Sequence, residues 1–400
     1  MPIAVVALAV CAFAIGLTEF VVAGLLPDIA GDLHVSIPTA GMLVSGYAFG
    51  VVVGAPVLTA LTGRTERRRL LTGLMTLFLA GTALSALASA YGMLMIGRVA
   101  AALAHGAFMG VAMATAADLV APGKRGRAVS LVATGVTVAT VLGVPLGTLV
   151  GQHLGWRSAF WLVILCAAIG LAGIMTLVPR AEPAATGDIR GELTVLRRPQ
   201  VLLVLAATVL GFGGVMTSYT YIAEMVTRVT GFGAGAVTWI TMLFGLGMFA
   251  GNLISGRVTD RHPRAAVLTA VAALALVLAA FTVTVHDKTA TCVTVFLFGA
   301  AAGGTVIPMQ MRIMAKAGDA PALASSANVA AFNLANTLGP LLGGALIGSG
   351  AGYPALNLAG AVVTAIGLGI AALAVYLDRD GSSVRADSPD AGHFAQAGAD

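Results

Sequence analysis

The chain has 400 residues, of which 58% are apolar and only 10% charged, against roughly 25% charged in soluble domains. Too little polar surface remains to cover a soluble body, and three cysteines, each inside an apolar run (Cys11, Cys166, Cys292), imply no disulfide framework. The net charge of +5 does not point to nucleic acid, because the basic residues sit in short clusters between apolar runs.

Runs long enough to cross a bilayer, about 20 residues each, lie near 3–26, 38–62, 70–90, 93–118, 128–150, 157–178, 200–223, 236–256, 265–285, 290–311, 322–347 and 354–377. The first has no basic segment before it and is interrupted by Glu19, so it reads as a span and not as a cleavable signal. Between the spans, eighteen of the 22 Lys and Arg fall on one side. Three (Arg157, Arg228, Lys288) fall on the other, and Arg98 lies inside span 4. That bias predicts both termini on the cytoplasmic side. The expected fold is an all-α membrane protein of twelve transmembrane helices in two pseudo-symmetric six-helix bundles, 1–178 and 200–377. A cytoplasmic linker, 179–199, joins them, and 378–400 is expected to be a disordered cytoplasmic tail rich in Asp, Ser, Gly and Ala. None of the three lysines sits in a phosphate-binding G-x-x-x-x-G-K-[ST] loop, which excludes a built-in ATPase.

A shift of about 197 residues lays the second half over the first: Gly50 and Gly54 meet Gly247 and Gly251, Arg64 meets Arg261, Gly106 meets Gly303, and Trp156 meets Tyr353. GVPLG at 143–147 falls close to GPLLG at 339–343. Parallel repeats of this kind build many secondary transporters. Glycines four apart mark span 2 (Gly46, Gly50, Gly54), span 5 (Gly143, Gly147, Gly151), span 8 (Gly247, Gly251) and span 11 (Gly339, Gly343). Such stripes let helix backbones approach in lipid. They are expected to form the seam between halves, with static packing as the alternative.

Ionisable groups inside a membrane are costly and mark function by default. Glu19 lies roughly 10 Å from the outer end of span 1 and Arg98 roughly 8 Å into span 4, at 1.5 Å per residue. The two should therefore share a depth. His105 follows Arg98 two turns further in, on the same helix face. A carboxyl in a low dielectric can exchange a proton as its hydration or its distance from a cation changes. Glu19 is thus the candidate coupling site, with Arg98 setting its poise; the alternative is a fixed ion pair, and for His105 a buried, hydrogen-bonded histidine. Asp118 and Glu224 sit near span ends and read as interfacial. Span 11 carries Asn328, Phe332 and Asn336 at intervals of four, a polar-aromatic face suited to a central cavity. Tyr47, Phe108 and Tyr219 are further candidates for the cavity wall, with ordinary packing as their alternative.

These residues resemble the major facilitator superfamily over essentially the whole chain, and within it the twelve-span drug:proton antiporters. TALTGRTERRRLL at 59–71 is similar to the family's loop 2–3 signature, with Gly63 where an aspartate is expected and Glu66 in place of a glycine. The repeat copy GRVTDRHPR keeps Gly256, Asp260, Arg261 and Arg264, and the resemblance implies a gate latch there. Arg98 resembles the span 4 arginine assigned to proton transfer. TEFVVAGLLPDIAGDL at 18–33 resembles the antiporters' span 1 signature through Glu19 and Pro27, and Gly143, Pro145 and Gly147 resemble the span 5 antiporter motif in shortened form. SIPTAG at 36–41, GAP at 54–56, KRGRA at 124–128 and GWRSAFW at 155–161 look like the chloramphenicol-resistance exporters of actinomycetes, a pattern that arabinose and nucleoside exporters share.

The resemblance implies proton-driven efflux of small amphiphilic compounds, chloramphenicol or related antibiotics, by alternating access at the plasma membrane. No cofactor beyond the proton gradient is expected. The expected partners are substrate, protons and bilayer, with no nucleic acid, and the protein is expected to act as a monomer. A sugar or nucleoside exporter and an uncoupled facilitator are the alternatives. A membrane-embedded enzyme is disfavoured, because the sequence carries no H-E-x-x-H, no carboxylate pair near a loop and no metal-ligand cluster.

Overall fold

The structure, a computed structural model, describes residues 2–62, 65–121, 124–180, 197–317 and 321–386. Among the described residues it is helical, without strands, and twelve segments are long and apolar enough to cross a membrane. That is the solution hydrocarbon demands, since every backbone N–H and C=O must be satisfied within its own segment. The first group comprises α1 (Ile3–Gly24), α2 (Leu26–Asp32), α3 (Ile37–Thr62), α4 (Arg67–Ala86), α5 (Tyr91–Asp118), α6 (Arg125–Val138), α7 (Val144–Leu154) and α8 (Arg157–Leu177). The second comprises α9 (Pro199–Tyr219), α10 (Ile222–Arg228), α11 (Ala236–Arg261), α12 (Pro263–Thr284), α13 (Lys288–Lys316), α14 (Pro321–Gly348) and α15 (Pro354–Ala386). The short helices α2 and α10 share one end of the molecule and touch each other.

One of the sequence expectations needs correction here. The last helix runs past residue 377 to Ala386, so the start of the expected tail is helical; residues 387–400 lie outside the described residues, as do 181–196 of the expected linker. Span 5 is present as expected, and within it α6 and α7 are joined by a π-helical turn, Ala139–Gly143, in which the Val144 N–H reaches the Ala139 carbonyl. Pro145 follows immediately and has no N–H to give to Val141 four residues back, so the wide turn sits where the regular ladder is already interrupted.

Within the first group α1 packs on α6 and α8, α3 on α5, and α4 on α5 and α8; within the second α9 packs on α14 and α15, α11 on α13, and α12 on α13 and α15. The two groups meet where α3 lies on α14 and where the π turn and α7 lie on α11. Spans 2, 5, 8 and 11 therefore do form the junction, but their glycine stripes face away from it. A Cβ on Gly50 would stand 2.7 Å from the Ala102 Cβ of α5, and one on Gly54 would strike the Leu103 backbone. Gly147 faces Val21 of α1, Gly251 the backbone of Ala300 on α13, and Gly339 Met216 and Thr217 of α9. The stripes let helices of one group close on each other, which is the packing alternative and not the seam.

Other glycines serve the junction. Gly41 of α3 leaves room for the Tyr221 ring, 2.8 Å from where its Cβ would stand, and Gly344 of α14 faces Pro38. Gly245 of α11 accommodates the π turn, whose Thr140 carbonyl oxygen lies 2.6 Å from the site of its missing Cβ. Ser45 Oγ donates to the Thr337 carbonyl at 2.7 Å on the other side of the molecule. Thr140 and Thr337 are related by the repeat, so both contacts use the same position of their half.

Because Gly54 abuts backbone, which cannot move aside, Gly54→Leu should cost about 1–3 kcal/mol by overpacking. A lower thermal unfolding midpoint in detergent checks it, and an unchanged midpoint would remove the packing role.

Candidate functional site

At the depth where the groups meet, α1 presents Thr18, Glu19 and Phe20. Arg98 of α5 is almost wholly buried, at 1% exposed. Its Nη1 donates to the Thr18 carbonyl at 2.5 Å and approaches Thr18 Oγ1 at 3.3 Å. The guanidinium also lies over the Tyr47 ring of α3, 4.0 Å from its centroid, a contact that gains strength where water is absent. Tyr47 in turn meets His105 Nδ1 through its hydroxyl at 3.2 Å. Arg98 and Glu19 do share a depth, as expected, but they form no ion pair: the arginine grips the backbone one residue before the acid. Its Nε and Nη2 have no protein partner.

Glu19 is turned the other way. It is partly exposed on an otherwise buried stretch of α1, and its Oε1 accepts from Asn336 Nδ2 of α14 at 3.3 Å. Phe20 beside it meets Tyr219 of α9 edge-on, with ring centroids 6.5 Å apart. The acid thus stands in the space between the two groups and is held by the one to which it does not belong. Toward the α2/α10 end this space is sealed by Tyr221 against Gly41, by Pro38 against Gly344 and by Gln152 Nε2 donating to the Ala234 carbonyl at 3.0 Å.

The other candidates divide. Asn336 stays at the junction, while Phe332, partly exposed, lies edge-on to Phe212 of α9 in its own half at 5.0 Å. Asn328 does not stay at the junction: fully buried, it accepts from Thr208 Oγ1 and donates to Gln310 Oε1, both at 2.8 Å, and so joins α9, α13 and α14 inside the second group. Successive residues four apart drift about 40° around a helix of 3.6 residues per turn, enough to swing Asn328 away from Asn336. Tyr47, Phe108 and Tyr219 are also buried in packing, Tyr219 stacked on Phe244 at 4.2 Å, and His105 belongs with Arg98 and Tyr47. None of these lines an open wall in this conformation.

The motif residues behave unevenly. Gly143 and Gly147 seat the second part of span 5 on Phe13, Leu17 and Val21 of α1, and Pro145 ends the π turn. Asp260, Arg261 and Arg264 are exposed, and their side chains make no hydrogen bond or ion pair among the described residues. Gly256 meets only Ile307, at ordinary contact distance. The degenerate first copy is the engaged one: Arg67 pairs with Asp118 and Arg68 donates to the Met175 carbonyl, while Gly63 and Arg64 lie outside the described residues.

This arrangement can be set beside known proteins. Residues 8–320 and 219–397 match the model of the Major Facilitator Superfamily. The chain belongs to that superfamily. It is 40% identical to the inner membrane transport protein YdhP of Escherichia coli strain K12 over 371 residues, 93% of this chain and 94% of the relative. It is 39% identical to a chloramphenicol resistance protein of Streptomyces lividans over 379 residues, 93% of this chain and 96% of the relative. The MFS-type transporter YtbD of Bacillus subtilis is 41% identical over 354 residues, 86% and 89% of the two chains. The protein is a multi-pass membrane transporter of this superfamily, with twelve candidate spans among the described residues.

GWRSAFW, read only as a family likeness in the sequence, has a physical role in the fold. Trp156 Nε1 and Arg157 Nη1 donate to Asp32 Oδ2 at 3.1 and 2.7 Å, and Arg157 also reaches the Ala88 carbonyl and lies over the Trp156 ring. The clasp pins α2 to the start of α8. Its counterpart in the second half joins Tyr353 to Glu224, which also pairs with Arg228. Hydrogen bonds from Arg157, then from Trp156, hold the Asp32 carboxyl below its usual value of 3.8. Because the folded value is the lower one, the clasp stabilises fully above 3.8 and is lost only as pH falls through the lowered value. Arg157→Ala should therefore speed hydrogen exchange in α2 at pH 7, and mild acid at pH 5 should not. Equal protection in the variant would contradict the clasp.

Proposed function

We propose that this transporter is a proton-driven exporter of small amphiphilic compounds, with chloramphenicol or a chemically similar antibiotic among its substrates. It would work in the plasma membrane as a monomer with both termini in the cytoplasm, and would need no cofactor beyond the proton gradient. The positive-inside bias supports that orientation and puts the α2/α10 end outside. The seal then lies on the outer side of Glu19.

The observation that carries the reading is the position of Glu19: a single carboxyl in the space between halves, bonded across to Asn336, with Arg98 close by but engaged by Thr18. An ionised carboxyl is expensive to enclose away from water, and a neutral one is not. An outside proton would therefore let the outer end close over Glu19. Once the halves part on the cytoplasmic side, hydration would release the proton and leave the acid free for a substrate. Hydrogen bonds donated by the bound substrate would then replace that hydration for the return, so that proton and substrate occupy the same acid in turn. An acid beside the amide of Asn336 and the rings of Phe20 and Tyr219 suits neutral or weakly cationic amphiphiles. The Streptomyces lividans relative makes chloramphenicol the first compound to try.

In a host stripped of its own exporters, expression should raise the chloramphenicol concentration needed to stop growth, and everted vesicles should accumulate the drug when a proton gradient is imposed. Glu19→Gln should abolish the gradient-driven part while leaving the protein in the membrane. Wild-type accumulation by the variant, with an unchanged pH dependence, would rule out the coupling role.

A further inference from the structure

The turn of α14 that faces Glu19 is unusual in where its hydrogen bonds go. Pro340 has no N–H, so the Asn336 carbonyl lacks its partner four residues on. The Thr337 carbonyl takes Ser45 Oγ from α3 at 2.7 Å, and the Pro340 carbonyl takes the Tyr221 hydroxyl at 2.8 Å. One turn of helix is thus bound by side chains from α1 and α3 of the opposite half and by the residue that fills the outer seal. Asn336 itself is 6% exposed. Its Nδ2 donates to Glu19, and its Oδ1 is buried without a partner.

An amide is among the few neutral side chains that can serve a carboxyl in both charge states. It donates N–H to the anion, and after a half-turn about its last torsion it accepts the O–H of the acid. From the bond that is made and the oxygen that is left over, we infer that Asn336 is the positioning residue that holds Glu19 across the junction in either charge state. It thereby ties the protonation of the first half to the closure of the second. The inference rests on the coupling role proposed for Glu19 and adds the element that receives its signal. Other charged or titratable groups around the acid are Arg98 and His105 on α5, Tyr47 on α3 and Tyr219 on α9; the facing turn of α14 offers amides only. None of those four spans the two halves with a hydrogen bond to Glu19, whereas Asn336 does.

The test needs no substrate. Gly31 in α2 and Gly233 before α11 are exposed, have open space around them and lie at the same end in different halves. Spin labels on Gly31→Cys and Gly233→Cys, with Cys11, Cys166 and Cys292 replaced by serine or alanine, report opening of that end in liposomes as a function of pH. Asn336→Leu removes both the donor and the acceptor and should raise the midpoint of the opening transition by up to about one pH unit, because the bond lost from the ionised acid is stronger than the one lost from the neutral acid. Asn336→Gln should restore part of the displacement. In a Glu19→Gln background the transition should be absent and Asn336→Leu silent. If the leucine variant inserts poorly, Asn336→Ala is read in the same way. A midpoint unchanged by Asn336→Leu or Asn336→Ala, with the transition still abolished by Glu19→Gln, overturns the role of Asn336 and leaves the coupling role standing. A transition that survives Glu19→Gln overturns both.

Discussion

A guanidinium enclosed by hydrocarbon must find its partners inside the protein, and the rest of the site follows from how Arg98 does so. The most direct solution, an ion pair with Glu19 at the same depth, would join α1 and α5 and leave no acid free. Instead Arg98 binds the Thr18 carbonyl and lies under the Tyr47 ring, whose hydroxyl goes to His105. The cation is thereby anchored within its own half, close enough to influence Glu19 without consuming it. The acid is left facing the other half, where Asn336 is the side chain that meets it.

The two halves repeat a fold but not a chemistry. Around the junction the first half supplies Glu19 and Arg98, while the second carries amides and hydroxyls: Asn328 with Thr208 and Gln310, Asn357 with Ser218, and Asn336 with Glu19; its buried ion pair, Arg312 with Asp378, lies elsewhere, at the ends of α13 and α15. Backbone irregularity is uneven too. Span 5 spends a π turn at its proline, and the wide turn rests against Gly245; span 11 stays helical through Pro340 and recruits hydroxyls to its carbonyls. Equivalent positions in the repeat thus make equivalent contacts by different means. Both sides of the junction carry hydrogen bonds, Gln152 to Ala234 on one and Asn336 to Glu19 on the other.

Much of this was legible in the sequence. Hydrophobic length gave twelve spans, because the bilayer sets that length from outside, and the common depth of Glu19 and Arg98 followed from the helix rise alone. What failed was direction around the helix axis. The glycine stripes were correctly located on the junction helices and wrongly aimed, since small residues announce close approach without saying to which neighbour. Asn328 and Asn336 looked like one face, yet the drift of the helix gives them different partners. The GWRSAFW stretch carried no hint of Asp32, which lies more than a hundred residues earlier and is joined to it only by the fold. Asp260, Arg261 and Arg264 preserved a motif, yet their side chains have no partner among the described residues.

The central claim is that one carboxyl, Glu19, is occupied by proton and substrate in turn. Proton release on ligand binding tests it most directly: the purified protein in a lightly buffered solution, near the pH at which the acid is half protonated, is mixed with chloramphenicol while the pH is recorded. A fall in pH equivalent to up to about half a proton per bound drug is expected for the wild type, and none for Glu19→Gln. Binding of the drug by the wild type with no proton released, or an equal release from the variant, would contradict it.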